Sequence, residues 1–296
     1  MPQPARSARP APAQIKRRRR AAVAACTVVA VAAIYAVLNF TVLAPADTHG
    51  AKVEGITIQS QAVGESQAVT VVIPPGATPR HRRPLLVFLH GRNETRSAYT
   101  EDEPFFEALA RLGKAAPIVA IPEGSADSYW HDRASGNWEK LVINEVIPAV
   151  TDRFAVDATR VAVGGISMGG FGAYDLALKN PGRFCAVGGH SPALWLQAED
   201  TAPGAFDGAE DFERNDVLAM LRTDPGAFGP IPIWNDAGDE DPFLISDVAL
   251  RETLESGGAD LTAHTWPGGH KRGYWDQHWV RYLRFYANAL AHCGAG

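Results

Sequence analysis

A serine, a histidine and a cluster of carboxylates occur in this 296-residue chain at positions that suit nucleophilic catalysis. Ser167 lies in Gly165-Ile-Ser-Met-Gly169, between the apolar run that begins at Val161 and a helix-forming run from Phe171 to Lys179. A serine on so tight a strand-to-helix turn is forced out of the regular backbone, with its hydroxyl presented above the sheet edge. Small residues must flank it, because a Cβ at Gly165 or Gly169 would collide with the neighbouring strand or the helix start. Gly-x-Ser-x-Gly also arises by coincidence, so the serine is judged by what the rest of the chain supplies.

A serine hydroxyl is a weak nucleophile at neutral pH and needs a positioned base. That base is a histidine held in the right tautomer by a carboxylate. Among nine histidines, His270 is the best placed, in the small-residue loop Trp266-Pro-Gly-Gly-His270 after the last strand-like run. His264 falls mid-strand, His278 and His292 fall on the last helical stretch, and His81 lies in a polar turn. His90 and His131 lie on loops where either could line a pocket. The acid is expected between serine and histidine, where Asp236, Asp239, Glu240 and Asp241 form an acidic turn. Asp241, beside Pro242 and an apolar stretch, is the first candidate and Asp239 the second; the others read as a solvated loop. Two backbone N–H donors should face the oxyanion of the tetrahedral intermediate. Met168, after the nucleophile and at a helix start, offers one; Arg92, after His90-Gly91, offers the other.

The elements that must hold these groups are legible as alternating runs. Ile56–Gln59 and Val69–Ile73 read as an antiparallel pair at a sheet edge. Pro84–Leu89 is a continuous apolar run, as a strand buried on both faces requires. Further strands are expected at 117–121, from Val161, and at 184–189, 231–235 and 261–266. Helices are expected at 105–112, 138–154, 212–221, 244–254 and 274–292. Such alternation gives a mostly parallel sheet with helices on both faces, and ligands then bind beyond the carboxyl ends of the strands. His90, Glu123, Ser167, His190, Asp241 and His270 all fall just after a predicted strand.

Taken together, Leu89-His-Gly-Arg92, Asp127-Ser-Tyr-Trp-His-Asp132, Trp138-Glu139 with Glu145-Val-Ile-Pro148, Gly165-Ile-Ser-Met-Gly-Gly170, Gly238-x-x-Asp241-x-Phe243 and Gly269-His270 with Trp275 resemble the esterase D and antigen-85-like branch of the α/β-hydrolases. The resemblance runs from about residue 65 to 290. It implies an α/β-hydrolase fold with Ser167 as nucleophile, Asp241 as acid, His270 as base, and Arg92 and Met168 as oxyanion donors. The elbow Ser167-Met-Gly-Gly170 is closer to the esterases than to the acyltransferases. Tyr129, Trp130, Trp195 and Trp275, with His90, are then candidates to line an acyl or aromatic pocket, although each ring could equally fill the core. The chemistry calls for no metal and no organic cofactor.

Charge and hydropathy set the remaining bounds. Residues 1–20 carry seven of the 28 basic residues and none of the 33 acidic ones. A basic tail can mark a nucleic-acid binder, but residues 21–43 follow it directly and contain no charge. That run matches the ~20 residues needed to cross a bilayer, and the abutting arginines place the N-terminus in the cytoplasm. The expected organisation is a basic cytoplasmic tail at 1–20, a transmembrane anchor (or signal sequence) at 21–43, a linker with the first edge strand at 44–64, and a catalytic domain at 65–296. A signal cleaved near Ala44-Pro45-Ala46 is the rival; both put the folded part outside the cytoplasm, with no nucleic-acid partner. Cys185 and Cys293 are free to pair there, while a core thiol at Cys185 is the default expectation. The expected activity is hydrolysis of a small-molecule or lipid ester through an acyl-enzyme. The alternatives are an acyltransferase acting on a sugar or lipid alcohol, and a non-catalytic envelope binding protein. Acyl chain, alcohol and oligomeric state are not encoded legibly.

Overall fold

A computed structural model describes residues 46–101 and 103–293, so the predicted tail and apolar run at 1–43 lie outside the described residues. Among the described residues, no helix is long and apolar enough to cross a membrane. From Asp47 onward the chain forms one compact unit.

Ten strands occur among the described residues, eight of them in one sheet: β1 (Lys52–Gln59), β2 (Ser66–Ile73), β3 (Arg83–Leu89), β4 (Ile118–Pro122), β7 (Val156–Ile166), β8 (Val187–His190), β9 (Ile233–Gly238) and β10 (Leu261–Trp266). The short β5 (Asp132–Arg133) and β6 (Gly136–Asn137) pair separately. The sheet order is β1-β2-β4-β3-β7-β8-β9-β10. β2 runs antiparallel to both of its neighbours, and every pairing from β4 to β10 is parallel. This is an α/β-hydrolase-like arrangement.

Successive side chains of a strand point to opposite faces, and β3 shows what each face meets. Phe88 packs on Tyr99, on Trp279 at 5.3 Å and on Tyr286 at 6.3 Å. Trp279 and Tyr286 belong to the final helix α8 (Trp279–His292), which packs on α1 (Glu103–Arg111). Leu85, Val87 and Leu89 join the opposite core with residues of α2 and of α3 (Met168–Lys179). α2 comprises Trp138–Lys140, a π-helical Leu141–Val146 and Ile147–Arg153. The wider turns accommodate Pro148, which has no N–H to donate and whose ring would press on the Asn144 carbonyl.

Two expected single helices are each broken in two. The 212–221 stretch becomes α4 (Ala209–Arg214) and α5 (Val217–Thr223) because Asp216 caps α5, accepting the Ala219 N–H at 2.9 Å. The 274–292 stretch becomes α7 (Arg272–Asp276) and α8, with His278 between them stacked on Trp266 at 4.0 Å. The helix after β9 is α6 (Leu244–Ser256). Cys185 is not a free core thiol: it is bonded to Cys293 across 108 residues, tying the end of α8 to the segment entering β8.

Candidate active site

Strand β7 ends at Ile166 and α3 starts at Met168, so Ser167 alone makes the turn. Its φ is 56° with ψ −116°, a conformation that costs a non-glycine residue about 1–3 kcal/mol. Three hydrogen bonds hold it there. The Ser167 N–H donates to the His190 carbonyl at 3.0 Å, and the Ser167 carbonyl accepts from Phe171 and Ala193, each at 3.0 Å. The flanking glycines are required by contact rather than by dihedral freedom. A Cβ at Gly165 would overlap Gly169 and lie 2.7 Å from the Leu89 carbonyl oxygen; one at Gly169 would overlap Leu89 itself and lie 2.9 Å from the His90 oxygen.

The start of α3 therefore sits directly on the end of β3. Gly169→Ala should push these two apart and carry the Arg92 loop with them. We expect about 3 kcal/mol of lost stability in urea unfolding and, in the fraction that folds, a turnover about 100-fold lower, since misplacement near 1 Å can cost that much. Wild-type values for both would show that the packing is not what places the loop.

Strand β10 leads into the loop that carries His270, and β9 into the loop that carries Asp241. The Ser167 Oγ lies 2.8 Å from His270 Nε2, and His270 Nδ1 lies 2.9 Å from Asp241 Oδ2. The other Asp241 oxygen accepts the Phe243 N–H at 2.9 Å, and the Asp241 side chain is fully buried while 22% of the His270 side chain is exposed. The second candidate, Asp239, points elsewhere: its Oδ1 accepts the Gly268 N–H at 2.9 Å and so braces the histidine loop from behind. Asp236 is not a solvated residue at all. Fully buried, it accepts from His190 Nδ1 (2.9 Å), Trp234 Nε1 (2.6 Å), Tyr274 (2.9 Å) and Tyr282 (2.8 Å). Burial alone would raise this carboxyl; the hydrogen bonds from His190, Trp234 and Tyr282 outweigh it and hold the group below the usual range. Asp236 thus ties β8, β9, α7 and α8 together beneath the site.

Met168 directly follows Ser167 at the first turn of α3, and Arg92 lies on the loop after β3, two residues past His90, whose carbonyl packs against Gly169. Among the described residues neither backbone N–H has a hydrogen-bond partner. The Arg92 side chain turns away, donating to the Pro203 carbonyl at 2.6 Å. Arg133 reaches the same 191–208 segment through the Gly204 and Ala205 carbonyls and an ion pair with Asp207 at 2.6 Å.

Of the five residues expected to line a pocket, Trp275 touches His270, and Trp195 and Tyr129 connect to it through Phe243. Trp275 meets His270 edge-on at 5.1 Å and donates its indole N–H to Ser191. Phe243 also meets His270, at 5.2 Å, and from it Trp195 and then Tyr129 follow in ring contact, with Phe206 and Phe171 packed on Tyr129. In sequence, Phe243 reads only as part of the Gly238-x-x-Asp241-x-Phe243 motif and Phe171 only as a helix start, and Phe206 is not singled out; none is expected in contact with the site. Burial pushes the Tyr129 phenol up to about 12, against a smaller opposing pull from Arg92.

Trp130 and His90 are corrections. Tyr129 and Trp130 both have positive φ, 50° and 61°, and their rings have different neighbours: Phe171, Trp195 and Phe206 for Tyr129, His90 for Trp130. Trp130 is completely buried, donates to the His90 carbonyl at 3.2 Å, and fills the space that Cβ atoms at Gly124 or Gly172 would need. His90 is fully buried, with Nδ1 on the Gly91 carbonyl at 2.9 Å and Nε2 accepting the Gly124 N–H at 3.0 Å. It clamps two loops together and cannot touch a ligand.

Burial brings the His90 imidazole down to about 4. The folded state therefore binds its proton later than the unfolded chain, which titrates near 6.5. Stability linked to His90 is complete above the unfolded value and is lost as pH falls from about 6.5 towards 4. The ceiling is about 3 kcal/mol. His90→Gln keeps a donor and an acceptor without titrating, so between pH 7 and 4 its urea midpoint should fall less than that of wild type; equal slopes would refute the clamp.

The Esterase family model, described as "Putative esterase", matches residues 60–286. The chain belongs to that esterase family. An esterase of Mycobacterium tuberculosis is 26% identical over 253 residues, covering 72% of this chain and 54% of its own length. The chain thus spans about half the length of that relative. The S-formylglutathione hydrolase of Bos taurus is 28% identical over 210 residues, or 62% of this chain and 73% of the relative. In fold, the chain is similar to the S-formylglutathione hydrolase of Agrobacterium tumefaciens, with a TM-score of 0.72 at 18% identity, covering 83% of this chain and 98% of that one. The family expected from the motifs around Ser167, Trp138 and His270 is the family matched.

Proposed function

We propose that this esterase-family chain hydrolyses carboxylic esters through an acyl-enzyme on Ser167. The observation that carries the reading is the unbroken relay from Ser167 Oγ to His270 Nε2 at 2.8 Å and from His270 Nδ1 to Asp241 Oδ2 at 2.9 Å. Ser167 Oγ attacks the ester carbonyl carbon while its proton passes to His270 Nε2. Asp241 fixes the Nδ1–H tautomer and stabilises the imidazolium. The carbonyl electrons collect on an oxyanion that takes the free N–H groups of Met168 and Arg92, donors worth roughly 3 kcal/mol each in barrier. As the tetrahedral species collapses, the alcohol leaves with the proton from His270. Water then attacks the acyl-enzyme by the same steps in reverse roles, releasing the acid and restoring Ser167.

The rings of Trp275 and Phe243 in contact with His270, continued by Trp195 and Tyr129, suit an apolar acyl or aryl group. The disulfide between Cys185 and Cys293 fits an oxidising compartment, in keeping with a folded part outside the cytoplasm, anchored through residues 21–43.

A fluorophosphonate should label the protein at one site, mapped by peptide mass to Ser167. Absence of labelling would favour the non-catalytic binding protein. Turnover of p-nitrophenyl esters with excess glycerol separates the remaining alternative: free acid as the only product supports hydrolysis, and glyceryl esters as the main product would reassign the chain as an acyltransferase.

A further inference from the structure

The sheet end opposite Ser167 holds a feature that ester hydrolysis does not use. A cavity of about 960 Å3 opens there, at the N-terminal end of β3 and beside the last turns of α1 and α8. Its lining includes His49, His81, Arg82, Arg83, Lys114 and Arg160, and no acidic residue. Arg160 is neutralised by Asp157 at 2.7 Å. Arg82, Arg83 and Lys114 have no carboxylate within ion-pairing distance among the described residues.

Arg83 is the telling member. It is 8% exposed, yet among the described residues one of its guanidinium nitrogens donates only to the Pro75 carbonyl, at 3.2 Å, and its buried Nε has no partner. A buried charge left without a counterion is strongly unfavourable unless something pairs with it. The C-terminal ends of α1 and α8 contribute roughly half a negative charge each, which offsets about one of the three unpaired cations. The pocket stays positive, and a planar guanidinium fork matches phosphate oxygens in a bidentate manner.

We propose that this pocket binds a phosphate group, supplied by the headgroup of an anionic phospholipid. The phosphate chemistry stands on Arg82, Arg83 and Lys114. The lipid source rests on the anchoring reading above. His49, on the pocket wall, is six residues past the charge-free run that ends at Leu43, and six residues reach at most about 20 Å. With that run in a bilayer, the pocket opens within reach of the headgroups.

The test uses the full chain in micelles of a neutral detergent at 150 mM salt, titrated calorimetrically with phosphatidylglycerol doped into the micelles, and separately with inorganic phosphate. Wild type should bind the lipid saturably. Arg82→Gln combined with Lys114→Gln should weaken it at least 10-fold, and so should Arg83→Met, while p-nitrophenyl ester turnover stays at the wild-type level. Because every variant keeps the basic residues 1–20, only the difference from wild type reports on the pocket. Undiminished lipid binding in the double variant, or none in wild type, overturns the site. Inorganic phosphate binding as tightly as the doped micelles overturns the lipid source and leaves a pocket for soluble phosphate. Turnover in the same preparations tests the esterase reading independently.

Discussion

Ser167→Ala should lower p-nitrophenyl ester turnover by about 10⁶-fold, because serine, base and acid act as a unit and removing the nucleophile costs nearly as much as removing all three. The residual rate would come from the oxyanion donors and substrate binding, which the substitution leaves in place. Two features make the fold a fair control. Among the described residues the Ser167 hydroxyl bonds only to His270, which is partly solvent-exposed, so its loss orphans no deeply buried group there. The turn itself is held by backbone hydrogen bonds to His190, Phe171 and Ala193, which alanine retains. The φ of 56° supplies a second readout. Ser167→Gly should be as inactive as Ser167→Ala but more stable by about 1 kcal/mol, since glycine occupies that region without strain. A stability gain together with lost activity is the expected mark of a strained nucleophile turn. Retained turnover in homogeneous Ser167→Ala would remove Ser167 from the mechanism.

Most of the frame was legible because its signals are local. Pro84–Leu89 announces a strand buried on both faces, and a parallel sheet then sends everything just past the strand ends to one edge. That logic located Ser167, Asp241 and His270 together from sequence alone. What it could not give is direction across the sheet or into the core. His90 and Ser167 both follow buried strands, yet one is sealed between two loops and the other stands at the turn. Tyr129 and Trp130 are neighbours whose rings pack on different partners, and no residue pattern encodes that. Asp236 reads as one acid among four in a polar turn; only the arrival of His190, Trp234, Tyr274 and Tyr282 from four segments makes it a buried hub. The Cys185–Cys293 bond is likewise a tertiary fact. Broken helices were missed for a different reason: the apolar residues on either side of Asp216 and His278 read as continuous helical stretches, and the capping and stacking roles of these two residues outrank that signal.

The four-acid turn makes the sharpest distinction available. Asp241→Asn should lower kcat by about 10⁴-fold, or roughly 5 kcal/mol of barrier, although the side chain keeps its size. The reason lies in the two bonds of Asp241. One oxygen must accept the Phe243 N–H, so an amide there keeps its oxygen on Phe243 and turns its NH2 towards His270. That NH2 donates to Nδ1, forcing the imidazole proton onto Nε2, where it faces Ser167 and blocks proton acceptance. Asp239→Asn faces no such conflict. Its oxygen only accepts the Gly268 N–H, a task an amide oxygen performs equally well, so kcat should change by no more than about 3-fold, the size of a weakened neutral hydrogen bond. Steady-state kinetics on the two variants, each checked by thermal unfolding, decides the matter. If Asp239→Asn proved the more damaging of the two, the acid would belong to Asp239 and the Asp241 contact with His270 would be structural.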